Sequence, residues 1–292
     1  MKRGLITWDK TELPPSAFEK RLATVRAELA RKDLPALVVY TDVWRSNQGR
    51  YLANFMPYWN RALLVIPVDR APILLCGLSP RVYPWIKSVT IIDDIRPNMN
   101  LSKLRAEMGW TRIGVLDLPL LPYDLAIDNL TNVRWDAIHP EPDEAELNMY
   151  RTAAKMAREA VADKNFVGRI DHEVVGDLEL KLRRDGAEDI VILVTNGDTA
   201  PLPPKGLVLG SDSSISVAME YRGHWVKVVH TAKRFTSNSS ALRVELLSGP
   251  YPYECCKLSS LTPGSVFALT TETLIEGKRI FAGDTHYGKE RL

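Results

Sequence analysis

The sequence predicts two domains, a layered α/β domain over residues 1–138 and an α+β domain over residues 139–292. Short β-rich runs alternate with helical runs in the first half, as in layered α/β domains. A turn-rich segment, His139-Pro140-Glu141-Pro142, separates that half from a long helical run. The chain has 292 residues, of which 45% are hydrophobic. That length and composition are sufficient for two cores.

The first domain opens with a helix. Ser16 and Glu19 match a capping box, and the apolar residues that follow recur at helical spacing up to about Lys32. Breaker residues then separate short apolar segments. The predicted strands are 36–40, 62–66, 73–76, 89–92 and 113–116, and a helix is predicted over 101–108.

The second domain begins with an amphipathic helix. Leu147, Tyr150, Ala154 and Ala157 lie on one face of the run that follows the turn-rich segment. A second helix is predicted over 171–184 and ends at Gly186. The predicted strands are 190–195, 213–219, 225–230 and 265–270.

Composition excludes several partners. Lys and Arg number 38 and Asp and Glu 36, so the net charge gives no reason to expect nucleic acid or an anionic membrane. No apolar stretch approaches the ~18 residues of a membrane span, and the N-terminus has no apolar signal core, so we expect a cytoplasmic protein. The three cysteines are expected to be reduced, with Cys255 and Cys256 in packing roles.

Several segments resemble the creatinase and aminopeptidase P family. In the first half these are Ala36-Leu37-Val38-Val39-Tyr40 and the stretch from Asn47 to Phe55, which contains Tyr51-Leu52-Ala53-Asn54. In the second half, the run from Gly223 to Thr231 is similar to a "GY…D..RT" strand, and Pro263-Gly264-Ser265-Val266-Phe267 to "PGMVF". The resemblance implies a creatinase-like N-terminal α/β domain and a C-terminal pita-bread domain. The short distance from Thr231 to Pro263 implies that the second domain is shortened.

Members of that family hold two divalent metals between two Asp, one His and two Glu. The matching positions here are Ser216 and Lys227 for the Asp residues, and Thr270 and Gly283 for the Glu residues. No histidine occurs between Thr231 and Thr285, where the His ligand should lie. We therefore expect no metal site and no cofactor. A shift of register by two residues would restore only Glu272, and one Glu cannot hold two metals.

Creatinase works without metal and uses a histidine, but the matching position here is Thr199. A rebuilt site is a second hypothesis: His230, with Glu272 or with Asp284 and His286, forms a new acid/base or single-metal site. In the enzymatic version His230, Lys227 and Glu272 carry the catalysis, and His224 binds substrate. On a strand, His224 and His230 point to one face and Lys227 to the other. The alternative is that these residues are only polar side chains on a strand that has lost its catalytic role.

A binding feature is also predicted in the first domain. Arg61, with Trp59 beside it, matches a place where family members reach across a dimer to hold the partner's substrate. This implies a homodimer, or pairing with a related chain, and a small carboxylate ligand. The alternative is a surface arginine before the strand at 62–66.

Two functions follow from these observations. The first is a non-peptidase subunit that binds a small ligand or a partner. The second is a metal-independent hydrolase or lyase that acts on a C–N bond of an amino-acid-like or guanidino substrate through the rebuilt site. A working Xaa-Pro peptidase needs ligands that the sequence does not contain.

Overall fold

The computed structural model describes residues 7–57, 59–162, 165–232, 241–248 and 254–292. The chain divides into two compact units, one that ends at Pro140 and one that covers Glu141–Leu292. The sequence places the boundary two residues earlier, in the same turn-rich segment. No helix in the described part of the chain is long and apolar enough to cross a membrane.

The N-terminal unit is built on a mixed sheet whose strands, over the described residues, have the order β4-β3-β2-β1-β5-β6. The strands are β1 (Ala36–Asp42), β2 (Arg61–Pro67), β3 (Ile73–Cys76), β4 (Asp94–Pro97), β5 (Ile113–Leu116) and β6 (Leu130–Val133). The helices are α1 (Pro15–Arg31), α2 (Asn47–Ala53), α3 (Tyr83–Val89), α4 (Leu101–Met108) and α5 (Trp135–Ile138).

Strand β1 is buried on both faces because it lies inside the sheet. It pairs antiparallel with β2 and parallel with β5. Leu37 and Val39 pack in one apolar cluster with Val25 of α1, while Val38 and Tyr40 pack in a second cluster on the other face. The continuous apolar run in the sequence reflects this burial on both faces.

Two local predictions in this unit are wrong. Residues 89–92 were expected to form a strand, but α3 ends at Val89 and the next strand begins only at Asp94. Val89 and Ile92 are both 1% exposed, so the run is apolar because it enters the core, not because it pairs in the sheet.

The predicted capping box is the second. The first helix begins at Pro15, with Pro14 as N-cap and no side-chain cap, so Ser16 forms no capping box.

The C-terminal unit is an antiparallel sheet covered on one face by two helices. Over the described residues the order is β11-β10-β12-β13-β9-β8-β7, with β14 beside β13. The helices are α6 (Glu144–Ala162) and α7 (Asp171–Asp185). The strands are β7 (Asp189–Thr195), β8 (Ser214–Tyr221), β9 (His224–Thr231), β10 (Ala241–Leu246), β11 (Glu254–Cys256), β12 (Val266–Ile275), β13 (Lys278–Tyr287) and β14 (Glu290–Arg291).

Two tight hairpins set the register of this sheet. Arg222 and Gly223 connect β8 to β9, and Glu276 and Gly277 connect β12 to β13. All four residues have positive φ, between 48° and 88°. Two-residue turns of this kind match the right-handed twist of the strands they join. They place the opposed residues of each hairpin directly across from one another.

Asp171, the first residue of α7, gives a prediction about acid stability. The residue is 1% exposed, and its carboxylate accepts the backbone N–H groups of Lys205 at 2.8 Å and Gly206 at 2.7 Å. Burial, the largest single cause, raises the pKa of Asp171, but the hydrogen bonds from Lys205 and Gly206, together with backbone hydrogen bonds from Leu207 and His172, outweigh it and hold that pKa below its usual value. A lowered folded-state pKa stabilises the protein above the unfolded pKa, near 4, and this contribution is lost as the pH falls through the folded value.

We therefore expect Asp171→Asn to lower the free energy of unfolding by roughly 2 kcal/mol at pH 7, the range of a hydrogen bond to a charged group. The difference from the parent protein should shrink as the pH falls from 5 to 3. Urea unfolding at a series of pH values measures it. Asp185→Asn, in the more exposed pair with Lys181 of the same helix, is the control, with an expected change below roughly 0.5 kcal/mol. A pH-independent difference for Asp171→Asn would contradict the argument.

Candidate functional site

The C-terminal sheet carries a cavity of about 350 Å³. Alternate residues of its strands face opposite sides: Ile190 and Ile192 of β7 join the core with α6 and α7, whereas Val191 and Leu193 line the cavity. The polar lining residues are Ser216, Lys227, Arg243, Glu245, Thr270, Glu272 and Arg279. The apolar lining residues are Val191, Leu193, Ala200, Pro201, Ala218, Val229, Ala241, Leu242 and Phe281.

The register of the sheet brings together the positions that the family resemblance assigned to metal ligands. One row across the sheet pairs Ser216 with Val229, Val229 with Gly283, Gly283 with Thr270, and Thr270 with Arg243. Lys227 lies two residues before Val229 on β9, and its side chain is on the same face of the sheet. Its backbone N–H donates to the hydroxyl of Thr285 at 2.9 Å, and that hydroxyl donates back to its carbonyl at 3.0 Å. The four assigned positions are therefore close together, with Ser216, Lys227 and Thr270 lining the cavity.

A buried ion pair lies in this cavity. The Nζ atom of Lys227 donates to the carboxylate of Glu245. The Lys227 side chain is 12% exposed and that of Glu245 is 4% exposed. Arg243, which is 61% exposed, binds the second oxygen of Glu245 through Nη2 at 3.1 Å. Glu245 thus has one cation on each oxygen, and the group carries one net positive charge.

A second ion pair lies on the neighbouring hairpin. Glu272 accepts the Nε of Arg279 at 2.6 Å and its Nη2 at 3.1 Å, a bidentate arrangement. The hydrogen bond from Arg279 is the main cause that lowers the pKa of Glu272. Arg279 also lies over the ring of Phe281, 5.4 Å from its centroid. Glu272 is therefore a carboxylate that is already neutralised by a neighbour.

The side chains at the assigned metal positions do not supply the donor set of a dinuclear site. Ser216 and Thr270 offer neutral hydroxyls, and Lys227 offers an ammonium group. A Cβ atom at Gly283 would lie 2.5 Å from the carbonyl oxygen of Leu269, so the backbone leaves no space there for any side chain. Across the described residues, no group of three or more His, Cys, Asp and Glu is arranged to hold a metal ion.

The structure does not bring His230 to Lys227 and Glu272. Lys227 and Glu272 line the cavity, whereas the His230 ring packs edge-on against Phe166, with 5.9 Å between centroids. Burial lowers the pKa of His230, which favours the neutral imidazole. The alternation of side chains along β9 is the reason, since positions 227 and 230 differ in parity.

The other residues of the hypothetical rebuilt site also lie away from the cavity. His224 packs against Tyr150 of α6 at 4.8 Å between centroids, and its Nε2 lies 3.8 Å from Glu146. It therefore does not line the cavity as a substrate-binding residue. Asp284 binds Arg158 of α6 at 3.0 Å. His286 stacks on Phe267, with 5.7 Å between centroids, and burial is the main cause that lowers the pKa of His286.

Arg61 and Trp59 belong to the N-terminal unit. Arg61 begins β2, and its two terminal nitrogens bind the carboxylate of Asp124 at 3.1 and 2.5 Å. Trp59 is 56% exposed. The arginine thus has a carboxylate partner within its own domain, and its predicted role toward a partner chain stays a prediction.

The residues that sequence reasoning missed are Glu245 and Arg243 on β10 and Arg279 on β13. The segment 242–246 alternates apolar and charged residues, a period of two that predicts a strand with one charged face. That signal was present in the sequence. The pairing of Glu245 with Lys227 could not be predicted from the sequence, because β9 and β10 are separated in the sheet by β13 and β12.

No protein-family model matches this chain, and no curated protein matches it in sequence. Solved structures do match. The prolidase of Pyrococcus horikoshii OT3 aligns with a TM-score of 0.67 at 12% identity, over 91% of this chain and 94% of that one. The X-Pro aminopeptidase of Thermotoga maritima MSB8 aligns with a TM-score of 0.68 at 12% identity, over 92% of this chain and 98% of that one. This chain has the creatinase-like pita-bread fold. The predicted fold class is confirmed, and the length of 292 residues is consistent with the shortened domain.

A third neighbour of the same fold is the X-prolyl aminopeptidase of Caenorhabditis elegans, a cytosolic enzyme with a di-nuclear active site. It aligns with a TM-score of 0.66 at 11% identity, over 98% of this chain and 61% of that one. At these identities the likeness concerns the fold alone. Function has to be argued from the cavity of this pita-bread domain.

Proposed function

We propose that the C-terminal pita-bread domain binds a small organic molecule in its cavity and does not carry out dinuclear metal hydrolysis. The observation that carries the proposal is the Lys227 ammonium, held by Glu245 where the resemblance assigns an acidic metal ligand. A fixed positive charge there repels a divalent cation. The cavity volume of about 350 Å³ lies in the range of small-molecule sites.

The geometry favours this binding role over the metal-independent hydrolase or lyase. That alternative needs a group that transfers a proton near neutral pH beside Lys227 and Glu272. His230 packs against Phe166 instead. Both cavity carboxylates are engaged by cations, so neither is poised as a general base.

A ligand screen with a cavity-blocking variant tests the proposal. The purified protein is titrated with small organic acids, amines and amides, and the melting temperature is recorded, because a ligand that binds only the folded state raises it. Ala200 is exposed and lines the cavity, so Ala200→Trp should fill the cavity while the fold is kept, and should abolish the shift. Ala137→Trp, at an exposed position in the N-terminal unit, is the matched control and should retain it. No shift with any compound, or an equal shift in Ala200→Trp, would overturn the proposal.

Elemental analysis tests the metal part separately. The protein is incubated with manganese, zinc and cobalt, dialysed and analysed for bound metal. We expect near-zero stoichiometry, and no hydrolysis of Xaa-Pro dipeptides by the loaded preparations. One or two metals per chain that resist dialysis would contradict this part. His230→Gln should leave ligand binding unchanged. If the parent protein converted one of the screened compounds and His230→Gln did not, that result would support the enzymatic alternative.

A further inference from the structure

We infer that the cavity selects a small monoanion, a carboxylate with an apolar body and no free ammonium group. This inference rests on the proposed function, since it specifies the ligand of the same cavity. It depends on the charges that line the cavity, on how those charges are already paired, and on the apolar surface beside them.

The first step is the charge balance. The described lining residues include three cationic side chains, Lys227, Arg243 and Arg279, and two anionic ones, Glu245 and Glu272. One positive charge is therefore in excess. In a partly enclosed, partly apolar cavity such a charge is screened less than in open water, so a ligand with one negative charge is favoured over a neutral or cationic one.

The second step is that both carboxylates are engaged. Glu245 accepts Lys227 on one oxygen and Arg243 on the other. Glu272 accepts both Nε and Nη2 of Arg279. A ligand ammonium group would meet only carboxylates whose charge a protein cation already balances. An amino acid or a peptide with a free N-terminus therefore brings a positive charge that the cavity does not compensate.

The third step is that Arg243 can still bind an anion. Its contacts with Glu245 and with the Sγ atom of Cys255, at 3.3 Å, both use Nη2. A guanidinium group has five N–H donors, and this side chain is 61% exposed. The Nε and Nη1 donors have no partner among the described residues. Either of these donors can hydrogen-bond one oxygen of a ligand carboxylate while Nη2 stays on Glu245.

The fourth step concerns the body of the ligand. Val191, Leu193, Pro201 and Phe281 line the cavity and offer an apolar surface. A branched aliphatic or aromatic group fits this surface, since burial of apolar area contributes roughly 25 cal/mol per Å². A carboxylate on such a body satisfies both the excess positive charge and the apolar wall.

Four compounds with one body and different head groups test the inference by isothermal titration calorimetry. They are 4-methylpentanoate, leucine, 3-methylbutylamine and 4-methylpentanamide, which are anionic, zwitterionic, cationic and neutral. We expect the anion to bind roughly tenfold or more tightly than leucine, and the amine not to bind. Leucine, the amine or the neutral amide binding as tightly as the anion would overturn the inference but leave the proposed function intact. No binding of any compound, in this set or in the wider screen, would overturn both.

Two charge-removing variants locate the anion. Arg243→Gln should weaken binding of 4-methylpentanoate roughly tenfold, and Arg243→Lys should restore part of it. Lys278→Gln removes the same charge from β13 at a residue that does not line the cavity, where Lys278 pairs with Asp198. It should bind like the parent protein. Equal losses in Arg243→Gln and Lys278→Gln would point to the general field of the domain and overturn the assignment of Arg243.

Discussion

Replacing Glu245 by glutamine is expected to lower the free energy of unfolding by about 3 kcal/mol. The substitution keeps the shape of the side chain but leaves the Lys227 ammonium, 12% exposed, without its counter-charge. Removal of one partner from a buried ion pair typically costs 3–5 kcal/mol, because the remaining charge is desolvated and uncompensated. The value expected here is at the lower end, since Lys227 retains some contact with solvent. Urea unfolding of the two proteins at pH 7 measures it.

Two further variants separate this effect from a general loss of charge. Glu159→Gln removes a carboxylate from the exposed pair with Lys155 on α6 and should cost less than roughly 0.5 kcal/mol. The double variant Lys227→Met with Glu245→Leu replaces the buried pair by apolar side chains and should recover most of the lost stability. A cost for Glu245→Gln no larger than that for Glu159→Gln would show that the pair is not desolvated.

Gly283→Ala is expected to lower the free energy of unfolding by about 3 kcal/mol. The new Cβ would lie 2.5 Å from the carbonyl oxygen of Leu269 and 2.9 Å from the Cα of Thr270. Both atoms belong to the backbone of the neighbouring strand β12, so no side-chain rotation relieves the clash. Forced overpacking of this kind typically costs 1–3 kcal/mol. The upper end is expected because two strands in the middle of the sheet must move apart.

A second glycine provides the matched control. Gly176 lies within helix α7, and a Cβ there would meet nothing within 4 Å. Gly176→Ala should therefore stabilise the protein by roughly 0.5–1 kcal/mol, because alanine is the better helix former. Opposite signs for the two Gly→Ala changes are the expected result in urea unfolding. Equal effects would mean that the close approach at Gly283 is relieved at low cost.

The Gly283 prediction also bears on the metal-ligand position that the resemblance assigns to this residue. The resemblance assigns a Glu ligand to this position, yet the backbone of β12 occupies the space that its Cβ would need. Placing a carboxylate at Gly283 alone is therefore expected to disrupt the pairing of β12 and β13 before it creates a metal ligand. The residue at this assigned position thus differs from a metal ligand in backbone packing as well as in side-chain chemistry.

Local sequence patterns predicted the order and type of most elements. Hydrophobic periodicity predicted α4 and β5 with the bounds that the structure has, and the parity of β9 predicted that Lys227 faces away from His224 and His230. Local patterns were sufficient to predict these elements because burial on one or both faces of a strand determines which of its consecutive residues are apolar. They failed at 89–92, where an apolar run enters the core without joining the sheet.

The surroundings of Lys227 could not be predicted from local patterns, because they depend on how distant strands pair. The pair with Glu245 joins β9 to β10 across the two strands β13 and β12, at a row where Thr285 and Ala268 contribute small side chains. Sequence identifies a lysine on a strand, but its counter-ion depends on the order and register of strands that are distant in sequence. Whether that lysine is a solvated charge or the centre of a cavity is therefore a property of the folded sheet, since only strand pairing determines which side chains share a face.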